Sequence, residues 1–211
     1  MKTGKYKKYA FEKLPYDIQD KVCEDFATVN LEEDWWDSIY DRFKLIAAFF
    51  GFNVDLKKTY FNGFYNGSQA SCYTASINII KAIQCLQQKQ WEKQFPQESL
   101  HIGDCDFDSR VVSLIERGFI TGSGNVQPSD RESSIFTELR FKFPYNNCTN
   151  YDSIERELNC IQDDLIDLAL TLNFWLFTSL RKEYDFLTSK KQVRETIINA
   201  QYKFNRNGEQ L

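Results

Sequence analysis

The chain has 211 residues, 42% of them hydrophobic, which is enough for one substantial core; a single globular domain over residues 1–211 is expected. Its formal net charge of −4 and pI near 5.2 argue against direct nucleic-acid binding, which draws on clustered Lys and Arg. No apolar run has the length of a signal peptide or a membrane span, so a soluble, intracellular protein with no membrane partner is expected.

The first residues, MKTGKYKKYAFEK, set Lys2, Lys5, Lys7, Lys8 and Lys13 against Glu12 and read as a solvated basic arm over 1–13. Ile18, Val22 and Phe26 then form one helical stripe. A second helix is expected with Asn30 as N-cap and Glu33 at the matching capping-box position. Its stripe is Trp36, Ile39, Phe43, Ile46 and Phe50, and Gly51 ends it. Its acidic side carries Asp34, Asp37 and Asp41, with Glu32 and Glu33 nearby, and three of these charges favour the positive end of the helix dipole.

The densest stretch of the chain is YFNGFYNGSQASCYTASI, residues 60–77. Asn66-Gly67 suits a tight hairpin turn because both positions tolerate positive φ. The return, SCYTASI, alternates like a strand, and residues 78–94 read as helix, with the junction between Cys72 and Asn78 left open. Asp108 and Gly118 bracket a short helix. FITGSGNV and SSIFTELRFKF read as two strands, the second with Ile135, Thr137, Leu139, Phe141 and Phe143 on one face and Glu138, Arg140 and Lys142 on the other.

The longest element is expected near 151–187. Ile154, Leu158, Ile161, Leu165, Leu168, Leu172 and Trp175 step by four and three, while Glu155, Glu157, Asp163, Asp164 and Asp167 take the outer faces. Ser189 with Gln192 opens a last helix, and QYKFNRNG is a short edge strand or a polar tail. The architecture is therefore α+β: a small, mainly antiparallel sheet of about four strands packed against several helices.

Chemistry is sparse. The six cysteines form no C-x-x-C pair, and His101 is the only histidine, so a structural zinc site lacks its spacing and no cofactor is implied. The glycines of NGFYNGS and GSGN lack a phosphate-loop context and fit hairpin turns. Gln69 three residues before Cys72 has the look of a cysteine hydrolase, which would need His101 as its base, with Asp104 nearby in sequence; packing as a small buried side chain is the plainer role for Cys72.

WWDSIYDRFKLIAAFFGFNVDLKKTYFNGFYNGSQASC resembles the N-terminal signature of an uncharacterised family common in phage genomes, often labelled as an antitoxin of a toxin–antitoxin stability system. Trp35, Tyr40, Tyr60, Phe61, Gly63, Phe64 and Cys72 carry the likeness, and EYDFLTSKKQVRETIINAQYKFNRNG, residues 183–208, resembles that family's C-terminal motif. Asn62 stands where the family has Ser, and the family's Asp between two glycines is absent. The resemblance implies a non-enzymatic accessory protein of the host cytoplasm that blocks a host defence component by protein–protein contact. Its partner would be a host protein or nucleoprotein effector of toxin–antitoxin, restriction or CRISPR type. The acidic positions 32–41 and 155–167 are the expected contact surface, and a homodimer through the seam of the long helix is an alternative role.

Overall fold

The computed structural model describes residues 7–31, 34–62, 64, 70–98, 100–129, 134–143 and 151–211. The readings placed on Lys2, Lys5, Glu32, Glu33, Gly63, Asn66-Gly67, Gln69 and Cys148 lie outside them. In chain order the elements are β1 (Tyr9–Ala10), a 3-10 turn (Phe11–Lys13), α1 (Tyr16–Asp25), α2 (Asp37–Phe49), β2 (Phe52–Asn62), β3 (Ala70–Ile77) and α3 (Ile79–Gln88). They continue with α4 (Trp91–Gln94), α5 (Ser109–Glu116), β4 (Thr121–Pro128), β5 (Ile135–Lys142), α6 (Tyr151–Leu187), α7 (Lys190–Asn199) and β6 (Lys203–Phe204). The fold is α+β, with an antiparallel sheet in the order β2-β3-β4-β5, one long helix, and a separate two-stranded ribbon, β1-β6. Two compact units are present, one of Met1–Trp36 with Leu180–Leu211 and one of Asp37–Ser179.

The first unit joins the chain ends. Tyr9 and Ala10 pair with Phe204 and Lys203, and Phe11, Leu14, Val22, Val193, Ile197 and Phe204 form one buried cluster. Phe204 is wholly buried and meets Phe11 at 6.3 Å and Phe26 at 5.9 Å between ring centroids, edge to face. The basic arm, expected to be solvated, is thus anchored from Tyr9 onward; Lys7 and Lys8 are exposed. Asn30 is not a helix cap. Its side-chain amide donates to the Leu187 carbonyl at 2.9 Å and its oxygen accepts from Thr196 Oγ1 at 2.6 Å, which ties the segment after α1 to the end of α6 and to α7. Asp34 sits in a turn at φ 71 rather than on a helix face, since α2 starts only at Asp37. Ser189 caps α7 as expected, accepting from Gln192 N at 3.3 Å.

In the second unit the stripe expected on α2 holds in part: Phe43 and Ile46 are fully buried on the helix and Phe50 just past its end, whereas Ile39 is half-buried and Trp36 precedes the helix, in the first unit. Gly51, at φ +84, ends the element; a Cβ there would lie 2.9 Å from the Asn78 carbonyl oxygen, and its own carbonyl accepts from Asn78 N at 2.8 Å. SCYTASI is strand, and the junction falls at Asn78, whose side chain accepts from Lys81 N to cap α3. The helical stretch 78–94 breaks at Lys89, a left-handed residue at φ 48 between α3 and α4. GSGN is not a turn but part of β4. Gly124 pairs with Leu139, and a Cβ on it would come within 2.6 Å of that side chain, so the glycine makes room for apolar residues on the helix-covered face.

That face rests on α6. Tyr73 Oη donates to the Ala169 carbonyl at 3.1 Å, and Asn173 Nδ2 donates to the Ser71 carbonyl at 2.9 Å. Phe43 stands edge-on to Tyr73 at 5.0 Å and stacks near Trp175 at 6.2 Å. Glu98 accepts from Trp175 Nε1 at 2.8 Å and from Arg42 Nε at 2.9 Å, so one carboxylate holds α6 to α2. The seam of α6 is buried from Leu158 to Trp175, while Leu170 and Phe174 on its second half are exposed. The opposite sheet face is wet: Asn53, Ser76, Asn125 and Glu138 stand in register across the four strands, the first three of them exposed.

Candidate functional site

The acidic residues expected on α6 divide by helical phase. Leu158, Ile161, Leu165 and Leu168 turn inward, which leaves Glu155, Asp163 and Asp167 exposed and Glu157 and Asp164 half-buried. The half-buried pair meets the segment before α5. Glu157 Oε1 accepts from Asp108 N at 2.7 Å, so the loop that leads into α5 is bonded to the outer side of α6. Asp108 caps α5, accepting from Arg110 N at 2.8 Å, and also pairs with the Arg110 guanidinium at 2.5 Å. The Arg110 hydrogen bonds hold the Asp108 carboxyl at about 2, below the ordinary carboxylate range.

Between loop and helix lies a cavity of about 280 Å³ with His101, Cys105, Asp164, Asp167, Leu168 and Leu170 in its walls. Burial and the neighbouring Asp164 push the Cys105 thiol up to about 11. At neutral pH it is therefore a protonated donor toward Asp164 and not a thiolate nucleophile. Asp164 is itself raised, first by burial; the Cys105 thiol lowers it, and Asp167, Asp163 and Glu157 raise it further. The charges that act on it most are acidic. The cavity falls just short of the size range of small-molecule sites, and two carboxylates, Asp164 and Asp167, stand in its walls, so it suits one cationic group better than an organic substrate.

The structure brings His101, Asp164 and Asp167 together, and adds Cys105, which the sequence reading passed over. The available signal was the His101-to-Cys105 spacing, but the carboxylates that complete the group lie about sixty residues further along the chain. Asp104 does not orient His101; it pairs with Lys89, which lowers the Asp104 carboxyl. Cys72 is fully buried in β3, outside the walls of the cavity that holds His101. Of the first acidic group, Asp34, Asp37 and Asp41 are exposed, with Asp34 in one unit and Asp37 and Asp41 in the other. Among the described residues no set of three or more His, Cys, Asp or Glu is placed to hold a metal ion, and no helix is long and apolar enough to cross a membrane.

Other residues of the quoted motifs are engaged in packing. Trp35 lies 6.2 Å from Tyr184, so the two motif-bearing segments meet within the first unit. Phe61 stands edge-on to Tyr40 at 6.4 Å, and Phe64 stacks on Phe177 of α6 at 5.8 Å. Tyr40 Oη donates to the Thr59 carbonyl at 3.2 Å.

Fold and site together define an α+β protein whose sheet-and-helix unit presents an acidic face with a small cleft. Residues 35–190 match the model of the family described as Domain of unknown function (DUF8835), and the chain belongs to that family. No curated protein and no solved structure matches it.

Proposed function

We propose that this protein is a non-enzymatic binding protein that inhibits its target by protein–protein contact, with the acidic face of α6 and the loop before α5 set against a basic surface of the partner. The observation that carries this reading is the setting of Asp164, a half-buried carboxylate in the cavity wall beside Asp167, with Asp163 and Glu157 also raising it. A cation supplied from outside relieves that repulsion, and a protein partner rich in Lys and Arg supplies it with the steering that complementary charge gives to association. The resemblance to phage proteins directs the reading to a host defence component, a toxin, restriction or CRISPR-type effector, met in the host cytoplasm. Nucleic-acid-binding effectors of that kind carry basic surfaces.

The test is a comparison of the wild type with Asp163→Lys/Asp167→Lys. Both positions are exposed, so the fold should tolerate the change to within about 0.5 kcal/mol. Partners recovered from host lysate with the wild type are purified, and affinity for both proteins is measured at low and high salt. The expected result is a loss of about tenfold or more with the reversed variant, concentrated in the association rate and shrinking as salt is raised. Equal affinity and equal salt dependence for the two proteins would refute the reading.

A further inference from the structure

The two edges of the four-stranded sheet differ. β2 loses its register with β3 between Asp55 and Tyr60, an irregularity that spoils it as a template. β5 runs through eight consecutive pairs with β4, from Pro128 opposite Ile135 to Thr121 opposite Lys142, with no shift, and among the described residues its other side pairs with no strand. It is a straight edge of full strand length. Its side chains are also incompletely covered: Phe136 is 61% exposed, and Thr137, Phe141 and Phe143 are half-buried.

Edge strands are commonly protected by charge. Along β5 the charges run Glu138, Arg140, Lys142, an order that the strand's own copy can match. An antiparallel pairing of two copies that keeps both wet faces on one side of the joined sheet must set some residue opposite itself on the two-fold axis. With Glu138 or Arg140 on the axis, like charges face each other, and with Phe141 there, Arg140 faces Lys142. With Thr137 on the axis only part of the strand is used. Leu139 on the axis uses nearly all of it and sets Glu138 opposite Arg140 of the second copy, twice by symmetry, and Phe136 opposite Lys142.

We propose that this edge is a self-association surface, on which β5 pairs antiparallel with β5 of a second copy about Leu139 to form one continuous eight-stranded sheet. Arg140 already pairs with Glu138 of its own strand, with the Arg side chain 70% exposed. In the dimer the two Glu and two Arg form an alternating four-charge cluster, in which each arginine is partly ordered before it meets its second carboxylate. Cross-strand pairs of opposite charge stabilise a sheet, and like charges directly opposite destabilise it. The surface is separate from the acidic residues of α6, so its fate does not depend on the binding role proposed above.

Sedimentation equilibrium of the full chain tests this, using the wild type, R140E, E138R and the double swap E138R/R140E. The wild type should dimerise. Either single substitution sets like charges opposite each other and should weaken dimerisation by about tenfold or more. The double swap restores opposite charges across the axis and should recover most of the wild-type affinity. A wild type that stays monomeric overturns the proposal. So does a dimer indifferent to R140E and E138R, or a double swap no tighter than the single variants while circular dichroism shows all four proteins folded.

Discussion

The unit made from the chain ends carries 13 Lys and Arg against 12 Asp and Glu, whereas the unit made from Asp37–Ser179 carries 13 against 18. The near-neutral unit is a small helical core closed by a two-stranded ribbon, with Lys190 of α7 paired to Asp20 and Glu24 of α1 at 3.5 and 3.3 Å. The acidic unit holds a sheet backed by a helix, and its surplus charge is not paired off in this way. Asp163, Asp164 and Asp167 crowd one stretch of α6 instead, where the Asp164 carboxyl is raised by burial and by its two neighbours. In the first unit Lys190 joins two helices; in the second Glu98 does the same for α2 and α6, and the surplus carboxylates gather on the outer side of α6.

The largest effect that separates the units should come from the core of the first. Phe204 is wholly buried, contacts two aromatic rings and belongs to a strand of only two residues. Phe204→Ala should cost about 3–5 kcal/mol, more than a two-stranded ribbon and two helices can spare. Hydrogen exchange should then show lost protection over α1 and α7 with β3 and β4 still protected. Equal loss in both units would show that they unfold as one.

A smaller effect is expected in the second unit from the polar clamp between sheet and helix. Ser71 is 2% exposed; its hydroxyl lies 3.0 Å from Asn173 Oδ1, and its carbonyl accepts from Asn173 Nδ2. Asn173→Leu keeps the volume and removes the Nδ2 donor from the buried Ser71 carbonyl, while the Ser71 hydroxyl keeps its bond to the Asn173 backbone carbonyl at 3.1 Å. Loss of about 1–3 kcal/mol in urea unfolding is expected, with protection falling in β3 and α6 and not in α7.

What could be read along the chain follows from how far each residue's partner lies. Asp108 and Ser189 cap helices through backbone groups two or three residues away, and the α6 seam repeats with its own period, so both were legible. Asn30 has the chemistry of a cap, but its partners are Leu187 and Thr196, more than 150 residues on. The break at Lys89 is carried by a non-glycine residue in the left-handed region, for which composition offers no sign. The site was legible by halves: the α6 carboxylates could be picked out, whereas the loop 101–108 that turns them into a cleft could not, because Glu157 meets Asp108 only after folding.

The smallest effect is also the one that most directly measures the cost of the acidic surface. The folded Asp164 carboxyl is raised by burial and by its acidic neighbours, so the native state binds a proton more readily there than the unfolded chain does. The sign follows: a raised carboxyl lowers stability at neutral pH, and that penalty fades as pH falls through the raised value toward the ordinary carboxyl range. Asp164→Asn removes the charge and keeps an oxygen that can accept from the Cys105 thiol. The variant should therefore unfold at a slightly higher urea concentration than the wild type at pH 7, with the difference closing near pH 4. Asp108 provides the contrast within the same loop. Its carboxyl is lowered by Arg110, so its contribution is present above the ordinary carboxyl value and is lost as pH falls toward 2. Asp108→Asn should accordingly weaken the protein at pH 7 and match the wild type only in strong acid. Opposite signs for two aspartates that flank one loop would locate the stored repulsion on α6; a shared sign would place Asp164 among the ordinary stabilising carboxylates and remove the electrostatic basis for a basic partner.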